Sequence, residues 1–309
     1  MPPAIGLPIS KRIPAMFDAA IVGGSYAGLS AALQLARARR RLLVFDEGRR
    51  RNRFAAHSHG FLGQDGRDPS EIASDARSQL LAYPNVTWCD ERVEAVARQP
   101  TGFALTGAGG SHHEARTLVL ATGIVDRLPD VPGLAERWGR AVFHCPYCHG
   151  YELDRGRIGV LAVSELSMHH ALMLPDWGRV TFFLNGAFDP SAEQSAQLVA
   201  RGVTVERQPI RALEGDPVDV VLTDGRRIAL DGFFTATATE VSSPIAGDLG
   251  CAFADGPTGR YIATDEIGAT SVPGVFACGD AARAAGNVAL AVGDGAMAGA
   301  AAHRKLMFG

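Results

Sequence analysis

The sequence predicts an α/β fold built around two nucleotide-binding units of the strand–helix–strand kind. Three observations carry that expectation. An apolar strand, Asp18-Ala19-Ala20-Ile21-Val22, runs straight into Gly23-Gly24-Ser25-Tyr26-Ala27-Gly28 and then into a helical pattern. A second alternation of strands and helices fills residues 158 to 236. The composition, with 47% hydrophobic residues, 20% charged residues and 36 glycines, describes a compact chain with many tight turns, not a disordered or fibrous one.

The first unit continues with a helix from Leu29 to about Arg39 and a strand, Leu42-Leu43-Val44-Phe45, that ends at Asp46. Asp46 follows Gly23 by 23 positions, close to the offset of about 20 at which an acid meets a ribose. Each residue of the turn has a physical task. Gly23 permits the tight bend, and Ser25 stands, small, where backbone must approach a pyrophosphate. Gly28 lets the helix pack on the strand, and the helix N-terminus offers free N–H groups to the phosphates. With strand, helix and distal acid in register, the segment is a dinucleotide-binding turn.

Residues 84 to 119 read as β-rich with turns at Gly102 and at Gly107 to Gly110, and the strand Thr117-Leu118-Val119-Leu120 leads into Ala121-Thr122-Gly123. A proline-rich stretch from Leu128 to Gly133 marks a domain boundary. In the second unit, strands are expected at Ile158 to Val163, Val180 to Leu184, Val203 to Glu206 and Phe233 to Ala236. Helices are expected at Met168 to Leu174 and Ser191 to Arg201, and a hairpin turns at Asp224-Gly225. Its phosphate turn is eroded: Ala162-Val163-Ser164-Glu165-Leu166-Ser167 has a Cβ at every position and a negative charge at Glu165. Asn185-Gly186-Ala187, after the next strand, brings neither a cation for a 2′-phosphate nor an acid for a ribose. Late in the chain an apolar strand ends at Cys278-Gly279-Asp280, and an alanine-rich helix runs from about Val288 to Phe308.

A formal net charge of −3 gives no reason to expect a nucleic-acid partner, and no apolar run approaches the roughly 18 residues that cross a bilayer. Residues 1 to 16, with four prolines and Lys11-Arg12, read as a loose arm and not a signal peptide, so the expected location is the cytoplasm. The arginine run at positions 37, 39, 40, 41, 49, 50, 51 and 53 reads mainly as a helix C-terminus and a solvated face, with a share left for cofactor phosphates. Five cysteines in a cytoplasmic chain argue against a structural disulfide framework. Cys89, Cys251 and Cys278 stand alone and are expected to be small buried residues.

The most pointed segment is His144-Cys145-Pro146-Tyr147-Cys148-His149-Gly150. A C-x-x-C pair closes a small disulfide ring, and a nearby helix N-terminus or basic group stabilises its thiolate. Competing readings are weaker. Haem attachment at Cys145-x-x-Cys148-His149 requires export. Zinc requires two further ligands at a workable spacing, and no metal is expected. An inert thiol pair stays open beside redox work. His149 is placed either to shuttle protons near the thiolate or to make a structural hydrogen bond, and His144 reads as structural. His57 and His59 lie in a loop that approaches the bound dinucleotide in one reading; the remaining histidines carry no signal.

Taken together, Gly23 to Gly28, Ala121-Thr122-Gly123, the central C-x-x-C and Gly279-Asp280 resemble, in order and over nearly the whole chain, the low-molecular-weight thioredoxin reductase family of flavoproteins. The resemblance implies two Rossmann-like domains, an FAD domain of residues 15 to 128 and 244 to 309 split around a central domain of residues 129 to 243. It implies bound FAD, with Asp280 on the ribityl chain and the following helix aimed at the isoalloxazine, and a homodimer. Cys145-Pro146-Tyr147-Cys148-His149-Gly150-Tyr151-Glu152 is similar to a subgroup of dithiol oxidases acting on small natural products such as gliotoxin, holomycin and romidepsin. That likeness implies exchange of a dithiol substrate at Cys145, Cys148 against the flavin, proton relay by His149 and oxygen as acceptor. The alternative is reduction of a protein disulfide with electrons from a carrier such as ferredoxin or from weakly bound NADPH.

Overall fold

The structure, a computed structural model, describes residues 16–309. The arm expected over residues 1 to 16 lies outside the described residues apart from Met16. The chain begins with β1 (Phe17–Val22), α1 (Tyr26–Arg37) and β2 (Leu42–Phe45). α1 starts at Tyr26 and not at Leu29, because the glycine turn already delivers the chain to helical geometry after an extended Ser25. Next comes α2 (Pro69–Leu81), which the pattern reading does not place; Asp68 caps it by accepting from the Ser70 N–H at 2.6 Å. β3 (Val86–Cys89), β4 (Val93–Gln99), β5 (Gly102–Gly107) and β6 (His112–Leu120) follow.

After β7 (Ile124–Arg127) the chain enters β8 (Val142–Phe143), α3 (Pro146–His149) and β9 (Arg157–Leu161). α4 (Ser167–Met173), β10 (Arg179–Phe183), α5 (Ala192–Ala200) and β11 (Thr204–Glu206) complete an alternating α/β run. An antiparallel meander, β12 (Ile210–Glu214), β13 (Val218–Leu222) and β14 (Arg227–Leu230), precedes β15 (Gly232–Thr235). The chain returns through β16 (Ala238–Val241), α6 (Ile245–Asp248) and the hairpin β17 (Phe253–Asp255) and β18 (Arg260–Ile262). It ends with β19 (Val275–Ala277) and α7 (Val288–Phe308).

Two sheets organise these elements. In the first, β3, β2, β1 and β6 run parallel in that order. β6 then forks: its early residues pair antiparallel with β5, and Leu118 to Leu120 pair in parallel with β19. The end of the chain thus completes the sheet that the start began. β1 from Ala19 onward and all of β2 are buried, as apolar central strands covered on both faces require. The second sheet has the order β11-β10-β9-β15-β8 and is parallel throughout. Phe182, Phe183, Phe233 and Phe234 lie fully buried in it.

α7 packs on α1 through small residues. A Cβ at Gly295 would overlap the Ala27 carbonyl, and one at Gly299 the Ala31 carbonyl, so the alanine-rich composition sets a close helix contact. The antiparallel pair β7–β16 carries both passages of the chain between the sheets. Among the described residues no helix is long and apolar enough to cross a membrane.

Candidate functional site

The glycine turn is built as its sequence demands. Gly23 sits at φ +107° and donates its N–H to the Phe45 carbonyl at 2.9 Å, tying the turn to β2. A Cβ there would overlap the Ala121 carbonyl, and one at Gly28 would overlap the carbonyl of Gly23. Ser25 is the N-cap of α1, yet its side chain makes no capping bond, so the first-turn N–H groups stay free for an anion. Asp46 comes to the same place: its Cβ would stand 2.7 Å from a Cβ on Gly24. Thr122 follows Ala121 at the end of β6, and Gly123 turns the chain away at φ +70°. Gly279, at φ +68°, abuts Ala27 of α1. The fold therefore gathers Gly23, Ser25, Gly28, Asp46, Ala121, Thr122, Gly123 and Gly279 around one end of the first sheet.

Three buried polar atoms near this turn, Thr122 Oγ1, Asn52 Oδ1 and Arg50 Nε, have no hydrogen-bond partner among the described residues. Buried polar groups are ordinarily paired. Asn52 Nδ2 donates to the Tyr26 hydroxyl at 3.1 Å, which places this loop against the start of α1. The donors, the acceptor and the free helix N-terminus fit a dinucleotide such as FAD. Arg50 and Asn52 are additions that the sequence does not single out, because in it they merge with the arginine run.

Arg51 departs further from a solvated reading. Its guanidinium donates to both oxygens of Asp126 at 2.7 and 2.8 Å and to Asp280 at 2.9 Å. Burial alone would drain charge from Arg51, but the two carboxylates more than offset it. Burial alone would likewise raise the carboxyl of Asp126; Arg51 and the Thr237 hydroxyl, which donates at 2.8 Å, hold it below its usual value. Asp280, which the resemblance puts on a ribityl chain, thus already has a cationic partner.

Cys145 and Cys148 form a disulfide with a Cα–Cα separation of 5.3 Å, Cys145 capping the single turn of α3. Two histidines flank the pair. His144 stacks on Trp138 and is partly buried; desolvation first, then the nearby Arg51 charge, pull its pKa down to about 3. His149 lies flat on Phe143 with ring centroids 4.3 Å apart, and burial, aided by His59, pulls its pKa down to about 4. Both rings are neutral at pH 7. Such a depressed pKa makes His149 a weak base while the disulfide is closed. A thiolate formed beside it reverses this, because an adjacent anion favours imidazolium.

Two further histidines belong here. The ring Nε2 of His170 is 2.8 Å from the carbonyl oxygen of His144, and its Nδ1 is buried without a partner among the described residues. The His57 loop does reach the disulfide segment: His59 Nε2 is 3.4 Å from Glu152, just past α3. Cys251 and Cys278 are buried as expected. Cys89 is only half-buried, because it ends an outer strand, and it groups with Glu91 and His113.

In the second unit, the eroded turn closes on itself. Ser167 Oγ accepts from the Val163 N–H at 3.0 Å, and Ser164 Oγ accepts from the Leu166 N–H at 3.3 Å. Amides that would meet phosphates are occupied by side chains of the turn. A cleft of about 600 Å³ persists beside it, lined by Arg127, Val163, Leu166, Asn185, Ala187 and Thr258 among others.

The comparisons agree with this geometry. Residues 17–295 match the model of the pyridine nucleotide-disulphide oxidoreductase family. Thioredoxin reductase tcpT of Claviceps purpurea is 34% identical over 304 residues, covering 94% of each chain. The crystal structure of an oxidoreductase from Agrobacterium tumefaciens superposes with a TM-score of 0.92 at 57% identity, covering 95% of this chain and 99% of that one. The crystal structure of HlmI superposes with a TM-score of 0.89 at 35% identity, covering 95% of this chain and 93% of that one. With its glycine cradle, its C-x-x-C pair and matches along almost its full length, the chain belongs to the pyridine nucleotide-disulphide oxidoreductase family, as a thioredoxin reductase-like, FAD-dependent oxidoreductase.

Proposed function

We propose that this protein oxidises a small dithiol to a disulfide, with oxygen as the final acceptor. The observation that carries the reading is the self-capped turn Val163–Ser167, where serine side chains take the amides a nicotinamide dinucleotide would need. Electrons then enter through the cysteines and not through a hydride donor. We assign residues 15–128 and 244–309 to the FAD domain and 129–243 to the disulfide domain. The working form is a cytoplasmic homodimer.

Bound FAD supplies a two-electron acceptor that oxygen reoxidises. Gly23, Ser25, Gly28, Asp46, Ala121, Thr122, Gly123, Gly279 and Asp280 hold it, joined by Arg50 and Asn52. At the disulfide, a substrate thiolate bonds to Cys145 Sγ, and Cys148 leaves as the thiolate. The second substrate thiol displaces Cys145, which closes the substrate disulfide. His149, neutral beforehand, gains basicity as the Cys148 thiolate forms beside it. A second reading, reduction of a protein disulfide, is favoured by one observation. The cleft of about 600 Å³ beside the turn leaves room for a loosely held NADPH. Mixing the purified protein anaerobically with a dithiol, NADPH or NADH tests both. The oxidase reading expects only the dithiol to bleach the flavin.

A further inference from the structure

We propose that Cys89, Glu91 and His113 form a zinc-binding site, separate from the C-x-x-C pair and independent of the direction of electron flow. The ligand atoms of the three side chains all lie within 4.8 Å of one another. A tetrahedral zinc ion, with bonds of about 2.0 to 2.3 Å, sets its ligands about 3.3 to 3.8 Å apart. A shift of about an ångström therefore closes the set, and half-buried side chains can make it. Thiolate sulfur, imidazole nitrogen and carboxylate oxygen suit zinc, whereas magnesium and calcium prefer oxygen alone. The charges also match, since a thiolate and a carboxylate together balance a divalent ion. On binding, the Cys89 thiol releases its proton to water and its sulfur takes a coordination bond. Three protein ligands leave a fourth position for water.

The fold builds this cluster from segments whose spacing does not announce it. Cys89 ends β3, Glu91 lies in the link to β4, and His113 stands in the part of β6 that pairs with β5, opposite Leu105. Glu91 is held at both oxygens: the Gly109 N–H donates to one at 2.8 Å and the Ser111 hydroxyl donates to the other. Each oxygen keeps a second lone pair for a metal. Gly107 leaves the room that this carboxylate fills, because a Cβ there would overlap it. The His113 ring is set by aromatic neighbours, its centroid 5.7 Å from that of Phe45 and 6.2 Å from that of Phe17. Asp90 is engaged elsewhere, by Arg77 at 2.8 Å and by the Trp88 indole at 2.9 Å. In the sheet, β2 and β1 separate β3 from β6, so the ion would clip the start of β6 to the outer strand. All three ligands are half-buried, so an ion reaches them from water.

The test uses the FAD-loaded protein in its oxidised form, where Cys145 and Cys148 are closed as a disulfide. Isothermal titration with Zn²⁺ should show one tight equivalent. Cys89→Ser and His113→Gln, each alone, should weaken it by more than the roughly tenfold to hundredfold that loss of an outer hydrogen-bond partner costs, and Ser111→Ala should weaken it within that range. Flavin content and circular dichroism of each variant should match wild type. Cys89 is a half-buried free cysteine, whereas Cys251 and Cys278 are buried. Iodoacetamide should therefore label Cys89, and one equivalent of Zn²⁺ should protect it. That measurement requires no variant, so it tests the site even where a substitution disturbs the fold. No zinc binding by wild type, undiminished binding in Cys89→Ser and His113→Gln, or labelling of Cys89 at the same rate with and without Zn²⁺ would overturn the site.

Discussion

Arg51 holds Asp280 by a 2.9 Å ion pair while gripping Asp126 with its other nitrogens. One guanidinium therefore joins the residue that opens the last glycine–aspartate turn to strand β7, which leads to the disulfide segment. Thr237, next to the returning strand β16, donates to the same Asp126. Arg51→Ala would leave Asp126, 8% exposed, buried without its counter-charge. The expected cost is about 3 kcal/mol, near the low end for a broken buried pair because Arg51 keeps some solvent contact. Urea unfolding at pH 7 measures it. The carboxyl of Asp126 is depressed, so its stabilisation is present above the ordinary carboxylate range and lost as pH falls through the folded-state value. Arg51→Ala should weaken that acid dependence; an unchanged midpoint would refute the ion-pair account.

His144 and His149 make the protein acid-sensitive in a second window. Their pKa values sit at about 3 and about 4, below the unfolded value near 6.5. Between those values and 6.5 the unfolded state binds more protons, so stability rises with pH through this interval and levels off above it. Each group contributes a slope of up to about 1.4 kcal/mol per pH unit. Denaturation midpoints from pH 4 to 7.5 should show the slope, and His144→Gln should flatten it. A flat wild-type curve would mean that these rings titrate as if exposed.

Gly23→Val should give colourless protein. The added side chain meets the Ala121 carbonyl, and φ +107° is a conformation that valine rejects. The absorbance ratio of flavin to protein after mild purification checks this, and a yellow Gly23→Val protein would show that the turn does not cradle the cofactor.

The parts legible in the sequence are those fixed by local chemistry. Gly23 to Asp46 declares a strand, a turn, a helix and an acid within one short window, and all of it folds as read apart from the earlier start of α1. α5 is delimited by its capping box, Ser191 with Gln194. By contrast, α2 buries only Pro69, Ile72, Ala73 and Leu80, too thin a stripe to stand out, although Asp68-Pro69 signals its start. The pairing of β7 with β16 joins segments more than a hundred residues apart, and no periodicity in either announces the other. Separation in sequence likewise hides Arg51 with Asp280 and His59 with Glu152, and even the 26 residues between His170 and the His144 carbonyl are enough to hide that contact. Residue type suggested chemistry at Cys145 and Cys148, but only the fold shows the flanking histidines partly buried and stacked on Trp138 and Phe143.

The self-capped turn at Val163–Ser167 forecasts weak nicotinamide binding. NADPH and NADH should reduce the flavin slowly or not detectably in anaerobic stopped-flow mixing. Ser164→Gly with Glu165→Gly would free an amide and remove a negative charge, and should raise NADPH-driven reduction. Micromolar affinity of the wild type for either nucleotide would contradict the reading of the turn.

Direction of electron flow is the central claim, and oxygen consumption tests it most directly. A small dithiol added in air should drive catalytic oxygen uptake and hydrogen peroxide formation, and both should vanish in Cys145→Ser. The contrary result would be a single reduction of the flavin by dithiol without turnover by oxygen, together with disulfide reduction supported by reduced ferredoxin or NADPH.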